Sequence, residues 1–125
     1  MAQEPDQAAR DATQGQQREW DRQSIYLRLP QERPMAFWVW GGGRVDPLSP
    51  RPELFDYDGD FSWGQESDGC MALAVAIVAK LVEVGLVAPE LATAKSRYLH
   101  DEVLVKLPAD EHRDLHLSYL RLLLG

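Results

Sequence analysis

A chain of 125 residues is long enough for one domain and short of two. Its formal net charge of −7 has the wrong sign for non-specific binding to a phosphate backbone. Its single cysteine, Cys70, rules out an intramolecular disulfide and fits an expected reducing, cytoplasmic setting.

Residues 1–19 are rich in Gln, Ala, Asp and Arg and poor in large apolar groups. They are expected to form a disordered or weakly helical tail ahead of one domain over 20–125, because they bury too little surface to offset chain entropy. They contain no apolar run that could serve as a signal-peptide core.

The stretch SIYLRLP, 24–30, alternates Ile25, Leu27 and Leu29 with Tyr26 and Arg28, the period of a strand with one wet face. Pro30 and Pro34 bracket a turn, and 35–40 reads as a second strand. Phe37 and Val39 there point one way, Trp38 and Trp40 the other. Three glycines follow, and Arg44 and Val45 begin a short third strand, closed by Asp46-Pro47.

The next stretch, 53–68, concentrates charge. Glu53, Asp56, Asp58, Asp60, Glu66 and Asp68 lie in it without a single base, whereas 24–52 carries four arginines against two acids. The dense acids favour a cation or a basic partner surface.

A central helix is predicted over 68–85. Met71, Val75, Val78, Val82 and Gly85 or Leu86 recur at helical spacing, with Lys80 and Glu83 opposite. Ser67 or Asp68 caps its start, and Gly85 followed by Leu86 forms a left-handed stop. The apolar run 70–88 approaches a membrane span in length, yet Lys80 and Glu83 inside it would each cost about 2.5–3.5 kcal/mol at mid-bilayer. A buried core helix is therefore expected, with no membrane partner. A second helix is expected from Pro89 to about 106, with Leu91, Ala94 and Tyr98 inward, and a short last helix from Ser118. The alternation of Val103, Val105 and Leu107 also allows a strand there. The elements together give an α+β fold: a small antiparallel sheet from 24–46 packed on two or three helices.

The run Phe61-x-Trp63-Gly64, then Gly69, then Leu73-Ala74, resembles a small uncharacterised domain family of bacteria, phages and plasmids. In that family a W-G-Y-x-G-S-G-P-like turn opens a Leu/Ala-rich helix, and an aromatic residue, a V-[IV]-A-x-L-P-like run and a short closing helix follow. Tyr98, Val103 to Val105 and Leu107-Pro108 hold those later places here, and Gly43 to Pro47 matches the upstream turn. Ser67-Asp68 stands where the family has glycine-serine, and Cys70 where it has proline. The resemblance covers about 43–124 and implies an α+β domain often carried on mobile elements.

Several sites can be weighed on chemistry alone. Gly64 to Gly69 has phosphate-loop glycines but lacks the lysine, and its acids would repel phosphate. Cys70 lies in a first helical turn, where the dipole can activate a thiol, but Met71, Ala72 and Leu73 make its surroundings apolar. His112 and His116 would share a face if helical, without the glutamate of a zinc-protease motif. A calcium loop started at Asp56 fails at its glycine and bidentate-acid positions, which are Phe61 and Ser67.

No catalytic residue, metal site or cofactor is therefore assigned. The expected function is that of a small acidic cytosolic interaction protein. Its partner-binding residues are Glu53, Asp56, Asp58, Asp60, Glu66 and Asp68, flanked by Trp38 and Trp40. The expected partner is a basic protein surface, such as that of a nucleic-acid-binding complex, with no direct nucleic-acid contact; self-association stays open. The mobile-element resemblance makes one version concrete: an inhibitor of a host defence nuclease complex, CRISPR or restriction. The alternative is a small-ligand or nucleotide-binding module at the Trp63–Cys70 turn.

Overall fold

The computed structural model describes residues 22–124, so the expected tail at 1–19 lies outside the described residues. Four strands, β1 (Ser24–Arg28), β2 (Met35–Val39), β3 (Val45–Pro47) and β4 (Arg113–His116), form one antiparallel sheet in the order β3-β2-β1-β4. Three helices accompany it: α1 (Asp68–Glu83), α2 (Ala92–Glu102) and α3 (Leu117–Leu124). The fold is α+β, as the patterning predicts.

Alternation explains which face of the sheet is buried. Ile25 pairs with Trp38 on one side and Leu115 on the other, Leu27 pairs with Ala36, and all five side chains are buried. The opposite face carries Tyr26, Phe37 and Val39, all half-buried. There the Arg28 guanidinium lies 4.2 Å from the Tyr26 ring centre and pairs with Asp114 at 2.7 Å. β3 is an edge strand, the place where Pro47 costs no ladder bond that the sheet needs.

The start and stop of α1 follow its sequence signals. Ser67 caps the helix by accepting from the Cys70 backbone N–H at 3.1 Å. At the other end Gly85 takes φ +84°, and Leu86 N–H reaches back to Leu81 O at 2.8 Å while Gly85 N–H reaches Val82 O at 3.1 Å. These two bonds satisfy carbonyls that a helix end otherwise leaves orphaned.

The inner faces of the helices differ from expectation. In α1 the most deeply buried residues are Cys70, Leu73, Ala74, Ile77, Val78 and Leu81; of the expected stripe Val78 is buried, while Met71, Val75 and Val82 are only half-buried. Lys80 does not face open water. Its ammonium lies 5.9 Å from the Trp38 ring and 5.3 Å from the Trp40 ring, so α1 is apolar nearly all round with its one cation laid over indoles. In α2 the expected inward residues Leu91, Ala94 and Tyr98 are exposed, and Ser96, Leu99 and His100 are buried instead. That helix begins after a 3-10 turn at Pro89–Leu91 and ends at Glu102, where a second 3-10 turn, Leu104–Lys106, replaces the expected continuation to 106. β4 occupies a stretch for which no strand is anticipated.

Candidate functional site

The acidic stretch 53–68 is laid along α1 and pinned at several points. It opens with a tight turn in which Leu54 and Phe55 N–H both donate to Arg51 O, at 2.9 and 3.0 Å. The Arg51 side chain bridges Glu53 at 2.5 Å and Glu83 at 3.4 Å, which ties that turn to the far end of α1. Further along, Phe61 and Trp63 are buried in the core, and the Trp63 indole N–H donates to Glu111 O at 3.2 Å. Gly64, at φ +86°, donates its N–H to Leu104 O at 2.8 Å.

The glycines therefore serve the chain's own packing. A Cβ at Gly69 would lie 2.7 Å from Asp60 O and 2.8 Å from Ser62 Oγ, and one at Gly64 would lie 2.6 Å from Leu107 O. The space where a phosphate would approach the Trp63–Cys70 turn is filled by residues 57–62. Tyr57 O–H donates to Asp60 O at 2.8 Å, and the Ser62 and Ser67 hydroxyls are 2.8 Å apart. No observation favours the ligand-binding alternative at this turn.

The six carboxylates fare differently from the backbone that carries them. Glu53, Asp56, Asp58, Asp60, Glu66 and Asp68 are all exposed. Glu53 is held by Arg51, whose hydrogen bond keeps its carboxyl below the usual carboxylate range. Asp60 pairs with Arg33 at 3.0 Å. Asp56, Asp58, Glu66 and Asp68 form no ion pair among the described residues. Two of the six are thus neutralised by neighbours and four face solvent uncompensated. Arg33 and Arg51 were not singled out by sequence, because each acts on an acid 27 or 32 positions away, or on one inside a turn.

The tryptophans divide. Trp38 is wholly buried, its indole N–H donating to Gln23 Oε1 at 3.0 Å, so it is a core residue and cannot contact a partner. Its strand turns it inward with Ala36, under Lys80. Trp40 is half-buried at the end of the same face. Its indole N–H donates to Asp46 Oδ2 at 2.6 Å, and the Arg44 guanidinium lies 4.6 Å from its ring. Trp40 therefore belongs to a cluster with Arg44, Asp46 and Lys80.

The remaining candidates are quickly placed. Cys70 is fully buried, and loss of solvent pushes its thiol up to about 11, the reverse of dipole activation. His112 precedes β4 and His116 ends it. Four residues of extended chain span roughly 13 Å, too far for both imidazoles to reach one metal ion. Ser24 Oγ lies 2.8 Å from His116 Nδ1. Among the described residues no group of three or more His, Cys, Asp or Glu side chains is placed to hold a metal, and no helix is long and apolar enough to cross a membrane.

Comparison with protein-family models, curated proteins and solved structures finds no match.

Proposed function

We propose that this chain is an interaction protein that offers the carboxylates of 53–68 to a basic surface on a partner. The observation that carries this reading is the contrast within the segment: a backbone pinned by Phe61, Trp63 and Gly69, bearing four exposed carboxylates with no ion pair among the described residues. Fixed charges need little reordering on association, and opposite potentials raise the encounter rate. Trp38 has no part in the contact.

The specific form of the proposal is a mobile-element-encoded inhibitor of a host defence nuclease complex. Its carboxylates would occupy an Arg/Lys groove that otherwise holds nucleic-acid phosphates. The motif resemblance and the charge pattern support this form.

The test is charge reversal of Asp56, Asp58 and Asp60 to lysine, all at exposed positions. Capture of the partner from the natural host should be abolished, and capture by the native chain should weaken steeply as salt rises. Capture by the reversed variant equal to native at low salt would overturn the proposal. For the inhibitor form, the native chain should block nucleic-acid loading of a purified nuclease complex, and added nucleic acid should compete. Unimpeded loading at saturating inhibitor removes that form and leaves the broader one standing.

A further inference from the structure

The apolar character of α1 extends beyond the core. Met71 and Val75 follow one another at helical spacing and are only half-buried, and Val78, one turn further on, is buried and forms the floor beside them. They line a groove of about 290 Å3, whose far wall is the Ala92 to Arg97 side of α2 and whose third wall is Leu54 and Phe55. Leu54 is 57% exposed, although the Arg51–Glu83 contact fixes its turn against α1. A leucine held in the open beside half-buried valine and methionine is apolar surface with no partner on the described chain.

Charge is unequal on the two sides of this groove. Asp56 follows Leu54-Phe55 in the chain, and Asp68 lies one helical turn ahead of Met71 on the same side of α1; neither forms an ion pair among the described residues, whereas Glu53 is already held by Arg51. Across the groove Arg97 is exposed and forms no ion pair among the described residues. One edge is acidic and the other basic, with apolar side chains between.

We infer that the groove between α1 and α2 receives an amphipathic α-helix of a partner protein, apolar side chains inward, basic residues along the edge marked by Asp56 and Asp68 and an acid toward Arg97. Two helices side by side present the ridges and furrow into which a third helix packs. The volume is at the small end of the ~300–1,000 Å3 typical of small-molecule sites and suits the few side chains of one helical stripe. The acidic edge rests on the reading of 53–68 given above; the apolar seat and the Arg97 edge do not.

The probe is a synthetic helical peptide with leucines at i, i+3, i+4 and i+7, lysines along one edge and glutamates along the other. Binding is measured by fluorescence anisotropy, with circular dichroism confirming that each variant is folded. The native chain should bind it, and a peptide with serines for the leucines should not bind. Leu54→Ser with Val75→Thr, both at accessible positions, should weaken binding about tenfold through lost apolar burial. Arg97→Glu should reverse the edge preference and favour a peptide with lysines on both edges. Failure of the leucine peptide to bind, or equal affinity for the native chain and the Leu54/Val75 variant, overturns the groove. If that second result comes with a loss on Asp56→Lys, the acidic segment stands without the groove. Loss in the Leu54/Val75 variant with no effect of Asp56→Lys leaves the groove standing and removes the acidic edge.

Discussion

Asp60 fills the space that a side chain at position 69 would need: a Cβ on Gly69 would lie 2.7 Å from the Asp60 carbonyl oxygen. Position 69 is inside the first turn of α1, where alanine would ordinarily gain up to about 1 kcal/mol over glycine. The clash reverses that sign. Gly69→Ala should destabilise the chain by about 1–3 kcal/mol, the cost of overpacking against backbone. It should also shift the backbone amide resonances of 57–62. Urea titration and amide spectra check both, and a variant as stable as native would show that 57–62 does not press on the helix.

A second prediction concerns Trp38 and Gln23. Both side chains are buried, and their 3.0 Å bond satisfies the indole N–H. Gln23→Ala should leave that donor unpaired and cost about 1–3 kcal/mol. A change within about 0.5 kcal/mol is what a surface position gives, and would show that this bond does not help hold Trp38 in the core.

These two positions show what was legible in the sequence. Period-two alternation at Ile25, Leu27 and Leu29 marked the first strand and its inner face, and the alternation over 35–40 marked the second strand, but with large rings on both of its sides the inner face of that strand stayed open. The caps of α1 were equally plain: Ser67 and Gly85-Leu86 act within a few residues of themselves. The phase of α1 was not legible. A helix carrying alanine, valine, leucine and isoleucine on nearly every side gives no contrast, so the stripe through Met71 and Val75 looked like the core while Leu73 and Ile77 occupied it. In α2 the polar residues Ser96 and His100 mark the buried side. Ser96 bonds Ala92 O at 2.8 Å, and His100 Nδ1 lies 2.7 Å from Asp101 Oδ1, local partners that alignment of apolar residues cannot reveal. β4 is a single buried leucine among exposed charges, and only its pairing with β1 makes it a strand. The exposure of the six acids was anticipated from composition. Their partial neutralisation by Arg33 and Arg51 is tertiary, and so is the burial of Trp38, which the sequence reading assigns to the partner surface.

Asp46 supplies a pH prediction. The Trp40 indole hydrogen bond, then the Arg44 guanidinium and the more distant Lys80, hold its carboxyl below the usual range against an opposing desolvation. The unfolded chain takes up this proton first as pH falls, so the stabilisation is present above about pH 4 and is lost as pH drops through the lower folded value. The Trp40 indole resonance should therefore titrate in acid, and in Asp46→Asn that titration should vanish. The stability gap between native and variant should also narrow from neutral pH towards pH 3. A gap of constant size would separate Asp46 from the Trp40 contact.

Cys70 gives a prediction of opposite sign. Burial raises its thiol to about 11, whereas an unfolded cysteine ionises near 8.5. Its neutral form is the one the folded chain accommodates, so its contribution to stability is complete below about pH 8.5 and is eroded as pH rises towards 11. Two measurements follow. The native protein should react with iodoacetamide at pH 8 no faster than it opens, with labelling accelerated by urea. Cys70→Ala, although it removes packed volume, should lose less stability than native between pH 8 and pH 10.5. Rapid labelling of the folded chain at neutral pH would mean an accessible thiolate, and Cys70 would then have to be treated as a nucleophile at the start of α1 instead of a filler beneath it.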